Sequence, residues 1–360
     1  MRGRVLVAGF STRHVAQSAA RAGYEVCAVD HFCDQDLFWY TRDRMKFEDL
    51  SDLPETVDRM CRNYSFDLVI ATSGAEDLTF PIPLCGTPRD KVGRFLDKLD
   101  MQHFFEDLKV PVPRIAADGE YPVMAKPRRG AGGWRNAILH DAHEETQWAS
   151  LYPDIPYIRQ QVAEGIPASV CCVANGDNAR AIAVNEQLLR GDGESAFGFS
   201  GSITPFDHPL CGEMVALAEK IAGASGCTGT LGIDFVIGHD TPCVIEVNPR
   251  FQGTVDTVEM ACGCSLFQYH VNACAGTLPE VPEVPAMQEY AARRIIFADR
   301  DMTLKADLKD LAPLVSDIPW PGTFFEEEQA IVSVSGTGAT RKEALSTLDK
   351  NISTVRQYIA

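Results

Sequence analysis

Short apolar runs open the chain within strands expected at 5–8, 26–30 and 67–71, broken only by Asp30 and Asp67 at their ends, too short for helices and too continuous for strands with one wet face. Between them lie stretches of helical periodicity at 13–22, closed by Gly23 as a C-cap, and at 53–64. Strands alternating with helices in this way predict a small parallel sheet covered on both faces, an α/β domain over 1–88. The Pro- and Gly-rich loop 80–88 ends it, and a helix over 90–108 follows, stopping before Val110-Pro111-Val112-Pro113.

Beyond that helix the pattern changes. An apolar strand at 123–126 ends on Lys126 and runs into a glycine-rich loop at 128–133. Further strands are expected at 157–162 and 168–174, a helix at 211–224, and a hairpin of strands 232–237 and 242–247 joined by Gly238-His239-Asp240-Thr241. The whole reads as an N-terminal α/β domain followed by α+β structure, with no internal repeat and no low-complexity tract.

Composition narrows the function. Of 360 residues 45% are hydrophobic and 23% charged, the balance of a globular chain that buries two or three cores. Lys and Arg total 33 against 50 Asp and Glu, and the net charge of −17 disfavours nucleic acid or anionic membrane as partners and favours a small molecule bound at a locally basic site. No run of eighteen apolar residues and no cleavable apolar leader occur, so a cytoplasmic protein is expected. The 12 cysteines include one C-x-C and no C-x-x-C, a spacing that suits buried reduced thiols better than a zinc or iron–sulfur site.

The candidate chemistry sits in the later hairpin. On a strand, residues two apart share a face, so Glu246, Asn248 and Arg250 align, and Asp234 on the partner strand can meet them. Two carboxylates and an amide oxygen are hard ligands for Mg²⁺, and an adjacent arginine can neutralise a phosphoryl group. A half-buried hairpin with an ordinary polar face has the same pattern, but polar residues interrupting an otherwise apolar central strand point to a site. The second signal is Lys126 leading into Gly130, Gly132 and Gly133, where loop backbone can approach an anion and the ammonium adds a point charge. Its order is the reverse of a P-loop, and the turn Gly9-Phe10-Ser11-Thr12-Arg13 has one glycine where a dinucleotide fingerprint needs three.

These two signals, in this order, resemble the ATP-grasp superfamily, with motif spacing closest to biotin carboxylase-like and carboxylate–amine ligases. Lys98 stands twelve residues before Val110-Pro111, as that family's first phosphate-contacting lysine does, and Lys126 matches its second. The segment 158–165 is similar to its adenine-binding hinge, which implies nucleotide contacts from Gln160, Gln161, Ala163 and Glu164. Asp234 and Glu246, twelve apart, with Asn248 two further on, reproduce the spacing of the family's metal ligands, and Arg250 falls on the motif arginine. Arg294 aligns with an anion-binding arginine of the carboxylase C-terminal segment.

The resemblance implies an ATP-grasp fold: an N-terminal parallel-sheet domain (1–88), an ATP-grasp domain (89–285) with a mobile lid at about 120–174, and a C-terminal segment (286–360) packed on the body. It implies ATP with Mg²⁺, or Mn²⁺ in its place, a carboxylate and an amine as substrates, and a homodimer. Lys126, Arg250 and Arg294 would be the catalytic groups, acting by electrostatic stabilisation. Where the carboxylase has a glutamate base four residues after the motif arginine, this chain has Thr254, while Gln252 is retained. That departure favours a ligase that joins an acyl phosphate to an amine over a bicarbonate-using carboxylase or a nucleotide-binding protein without turnover. Glu186, and the loops 11–13 and 72–76 at strand carboxyl ends, are further candidates for contact with nucleotide or second substrate.

Overall fold

The computed structural model describes residues 2–130, 132–191, 195–280 and 287–359. Its first sheet is fully parallel, in the order β3-β2-β1-β4, from β1 (Arg4–Ala8), β2 (Glu25–Asp30), β3 (Asp43–Lys46) and β4 (Leu68–Ala71). Helices α1 (Arg13–Arg21), α2 (Leu37–Tyr40) and α3 (Leu53–Asn63) connect these strands. Alternation along β1 explains its unbroken apolar run: Val5 and Val7 share a core with Val15, Ala16 and Ala19 of α1, while Leu6 and Ala8 pack with Leu53, Val57 and Met60 of α3. The polar β3 carries no such run and forms the edge of the sheet, which is why its sequence gave no strand signal.

The helix expected over 90–108 is two helices, α4 (Arg89–Leu96) and α5 (Lys98–Asp107). Asp97 breaks it with extended backbone angles (φ −118°, ψ 119°), and its carboxylate caps α5 by accepting from the Leu99 amide at 2.9 Å. The same carboxylate takes Arg128 at 2.8 Å, so the break also ties α5 to the glycine-rich loop. Next comes a three-stranded subdomain of β5 (Val123–Pro127), β6 (Ala137–Leu139) and β7 (Tyr157–Gln161), ordered β6-β5-β7 and covered by α6 (Ala142–Leu151). Its small core consists of Ala116, Val123, Ala125, Leu139 and Trp148.

The body is an eight-stranded sheet. It begins with β8 (Ile166–Asn175), β9 (Ala179–Leu189), β10 (Phe199–Thr204), β11 (Thr228–Ile237) and β12 (Pro242–Asn248), with α7 (Cys211–Ser225) between β10 and β11. After α8 (Val255–Cys262) and α9 (Leu266–Cys274) come β13 (Tyr290–Phe297), β14 (Met302–Thr303), β15 (Val315–Ser316), β16 (Phe324–Phe325), β17 (Ala330–Gly338) and α10 (Arg341–Ile359). The strand order is β12-β11-β8-β9-β10-β13-β17-β15, so the C-terminal strands extend the same sheet and α10 packs against them through Ala344, Leu348 and Val355. The expected boundary at 285/286 lies outside the described residues. One face of the sheet buries Val170, Cys172, Leu231 and Ile233 against α5 and α7. The other buries Cys171 and Val173 with Phe251, Val258 and Phe267, and this core continues into α1, joining the parallel sheet to the body.

Charge reinforces that junction. Arg13, 2% exposed, reaches Asp256 (2.6 Å), Asp317 (2.8 Å) and Asp36 (3.5 Å), while Arg293 reaches Asp317 at 2.5 Å. Burial alone would raise the Asp317 carboxyl, but Arg13 and Arg293 outweigh it and hold it far below the ordinary carboxylate range. All twelve cysteines are free, six of them buried and six half-buried, and Cys85, His270 and Cys274 bring their ligating atoms within 4.8 Å of one another. Both ring nitrogens of His270 are engaged there, Nδ1 accepting from the Thr230 amide (2.8 Å) and Nε2 donating to the Cys85 carbonyl (2.9 Å). Among the described residues no helix is long and apolar enough to cross a membrane.

Because Arg13→Ala leaves Asp36 without a cationic partner and Asp256 and Asp317 with Arg293 alone, it should lower unfolding free energy by about 3 kcal/mol. Urea unfolding at pH 7 measures this, and a loss under 1 kcal/mol would mean that the cluster is not a structural tie.

Candidate active site

The hairpin β11–β12 sets Asp234 directly opposite Glu246 in register, and Gly232 opposite Asn248. The register slips between Asp234 and Phe235, so one extra residue, Ile245, is accommodated on β12; both Ile245 and Glu246 then line the cavity beside the strand. Asp234 is held by three amide donors: Gln187 Nε2 (2.9 Å), Gln252 Nε2 (3.0 Å) and Asn248 Nδ2 (2.9 Å). Gly232 leaves room for the second of these, since a Cβ there would lie 1.6 Å from Gln252.

Even so the Asp234 carboxyl is pushed up to about 7, first by burial and next by the charge of Glu246. Two carboxylates at this separation repel each other, and a divalent cation between them would relieve the repulsion. The donor set, two carboxylates and an amide oxygen, therefore fits Mg²⁺. Asn248 Oδ1 is shared with Arg250, 3.4 Å away.

Across the cavity, Lys126 is the penultimate residue of β5 and 8% exposed, and its ammonium is lowered to about 8 by burial, with Glu246 opposing and Lys98 adding to the shift. Lys98 is the first residue of α5 and donates from Nζ to the Gly130 carbonyl at 2.7 Å. Lys98, Gln102, Lys126, Asn136, Gln160 and Glu246 surround a small recess of about 30 Å³. This opens beside a cavity of about 630 Å³ lined by the small subdomain (Met124, Gly132, Gly133), the segment joining it to the body (Gln161, Ala163) and the hairpin. Ala131 lies outside the described residues.

Several candidates are placed elsewhere. Arg294 is exposed on β13, where alternation turns it away from the face bearing Gln187 and Asp234, and its neighbour Arg293 faces the site side instead, donating to the Gly253 carbonyl (3.3 Å). Glu186 is likewise one residue out of phase: it takes Arg341 in a bidentate pair (2.8–3.0 Å), while Gln187 reaches Asp234. Glu164 is exposed and off the cavity wall. Thr12 and Arg13 turn inward, Thr12 to Asp30 and Arg13 to its three carboxylates. The loop after β4 does reach the site, since Ser73 lines the cavity and Glu76 accepts from Arg250 Nε at 2.6 Å. Gln102, Asn136 and Gln187 were not foreseen as site residues; the parity of Asn185 and Gln187 on one strand was the available signal for one of them.

Residues 95–254 match the ATP-grasp domain family, and the chain carries an ATP-grasp fold. Among curated proteins it is similar to the carbamoyl phosphate synthase large chain of Haemophilus ducreyi, 23% identical over 335 residues that take in 82% of this chain and 31% of that one. The chain thus spans less than a third of that relative's length. Among solved structures, the biotin carboxylase domain of Hydrogenobacter thermophilus 2-oxoglutarate carboxylase, in complex with MgADP, ADP and bicarbonate, superposes with a TM-score of 0.80 (14% identity, covering 98% of this chain and 89% of that one). An L-amino acid ligase from Bacillus licheniformis gives 0.72 (16% identity, 97% and 96%), and N5-carboxyaminoimidazole synthetase from Staphylococcus aureus gives 0.72 (14%, 100% and 98%).

The opposed effects of Glu246 can be separated in the ligand-free protein. Glu246→Gln removes a charge that raises both neighbours, so Asp234 should titrate below 7 and Lys126 below 8. Carbon-detected NMR of labelled Asp and Lys reads both midpoints; a Lys126 that titrates near 10.5 in the unmodified protein would contradict the burial and crowding described.

Proposed function

We propose that the protein is an ADP-forming ligase that activates a carboxylate as an acyl phosphate and joins it to an amine or similar nucleophile. The observation that carries this reading is the in-register Asp234–Glu246 pair facing Lys126 across one cavity. Mg²⁺ held by Asp234, Glu246 and Asn248 would supply charge neutralisation between nucleotide phosphates.

Lys98 and Lys126 bind the phosphates, together with the backbone at Gly130, Gly132 and Gly133, and adenine lies along the hinge at Gln160, Gln161 and Ala163. Glu164 and Arg294 keep no role here, since one is off the cavity wall and the other on the far face of its sheet. The small subdomain acts as a lid about the segment 162–165, closing over the phosphates and excluding water. Arg250, positioned by Glu76, holds the carboxylate near the γ-phosphate. A carboxylate oxygen then attacks γ-phosphorus, the bond to the β-phosphate bridging oxygen breaks, and ADP leaves. The amine next attacks the acyl carbon and expels phosphate.

Lowered to about 8 in the free site, Lys126 should gain a proton when triphosphate settles beside it. Thr254 offers no base for bicarbonate, and this substitution favours the amine-joining outcome over carboxylation.

ADP release with Mg-ATP across carboxylates, amines and bicarbonate tests the proposal. Turnover should depend on acid and amine together and fall at least 100-fold in Glu246→Ala; turnover with bicarbonate alone would replace the ligase by a carboxylase. Calorimetry at pH 8.5 in buffers of differing ionisation enthalpy should register net proton uptake on Mg-ATP binding, reduced in Lys126→Arg.

A further inference from the structure

The cavity continues past the phosphate groups toward the parallel sheet, and that end differs chemically from the rest. Among the described residues, the charged ones lining the cavity are Lys126, Asp234, Glu246 and Arg250, and the first three belong to the phosphate and metal region. Arg250 alone is left for the far end, with its Nε already paired to Glu76. The rest of the far wall is mainly apolar, with Phe10 from the loop after β1, Leu189 at the end of β9 and Phe199 at the start of β10, and the hydroxyl-bearing Ser73 and Thr254 beside them.

Two details show that these rings are arranged as a wall. Phe199 lies against the turn that carries Arg250 and Thr254, and a Cβ on Gly253 would meet its ring at 3.0 Å, so the glycine is what lets the ring seat there. Phe10 is 36% exposed yet fixed, stacked on His31 with centroids 4.6 Å apart and planes 11° from parallel. A wall of this kind solvates neither a second carboxylate nor an ammonium, and Thr254 adds only a hydroxyl.

We infer that the acid activated at this site is a monocarboxylic acid with a large apolar, aromatic-sized body. Its carboxylate lies on Arg250 and its body between Phe10, Leu189 and Phe199. This inference rests on the acyl-phosphate reading above. Bicarbonate would leave the wall empty, and a dicarboxylate or a small zwitterion would place an unpaired charge against it.

The test uses the full chain with Mg-ATP and hydroxylamine, whose nitrogen attacks the acyl carbon and releases phosphate, leaving a hydroxamate that is read directly. Probes are 3-phenylpropionate, phenylacetate, butyrate, acetate, succinate and bicarbonate, with ADP release followed in parallel. The aromatic acids should exceed acetate and succinate by at least tenfold in kcat/KM. Phe199→Ala should lower the preference for 3-phenylpropionate over butyrate by about tenfold. Melting temperature and Mg-ATP affinity control for folding, and Phe10→Ala provides an independent second variant.

If acetate, succinate or bicarbonate serve as well as the aromatic acids, the substrate class is wrong while the ligase reading stands. Should no acid stimulate ADP release although Mg-ATP binds, the acyl-phosphate reading falls and this inference with it.

Discussion

Two carboxylates facing each other across a strand pair are a cost that a fold carries only for a reason, and Asp234 and Glu246 are the constraint around which this site is built. Burial, and next their repulsion, raises Asp234, three amide side chains hold it, and a glycine is required at 232 to admit one of those amides. The bulge at Ile245 belongs to the same device, since it brings two consecutive residues of β12 to the cavity. Lys126, buried opposite, faces Glu246 across the same cavity. Each group is destabilised in a way that a metal-bound polyphosphate would relieve, which is how binding energy can be directed to the reacting atoms.

The rest of the molecule places three bodies around that pair. Asp97 ends one helix, caps the next, and grips Arg128, so that Lys98 and the glycine-rich loop are positioned together. The parallel sheet docks on the far side through α1 and through Arg13, buried among Asp36, Asp256 and Asp317. That docking delivers Phe10, Ser73 and Glu76 to the cavity, making the N-terminal sheet part of the site.

Much of this could be read from the chain. The apolar runs of β1, β2 and β4 and the hairpin β11–β12 were legible because burial on both faces, or a turn between two strands, leaves a strong local pattern. Lys126, Asp234 and Glu246 stood out as polar residues in apolar strands, and Arg250 as the arginine just past the end of one. What was missed has physical reasons. In β9 and β13 neighbouring residues are both polar, Glu186 beside Gln187 and Arg293 beside Arg294, so hydropathy cannot fix which of each pair lies on the face that bears Asp234. The break at Asp97 depends on Arg128, a partner 31 residues away, and helix periodicity does not register it. Within the expected loop 72–76, Glu76 is singled out only by its contact with Arg250, 174 positions later in the chain. The polar edge strand β3 follows from pairing to β2 and has no signature of its own.

The central claim is that a carboxylate oxygen becomes bonded to the γ-phosphorus. The most direct measurement supplies Mg-ATP and amine with an acid that stimulates ADP release, labelled with ¹⁸O in both carboxylate oxygens, and follows the released phosphate by ³¹P NMR. One ¹⁸O per phosphate, seen as a small upfield shift, is the predicted result. Phosphate free of label, with both ¹⁸O atoms retained in the acid or its product, would contradict acyl-phosphate formation.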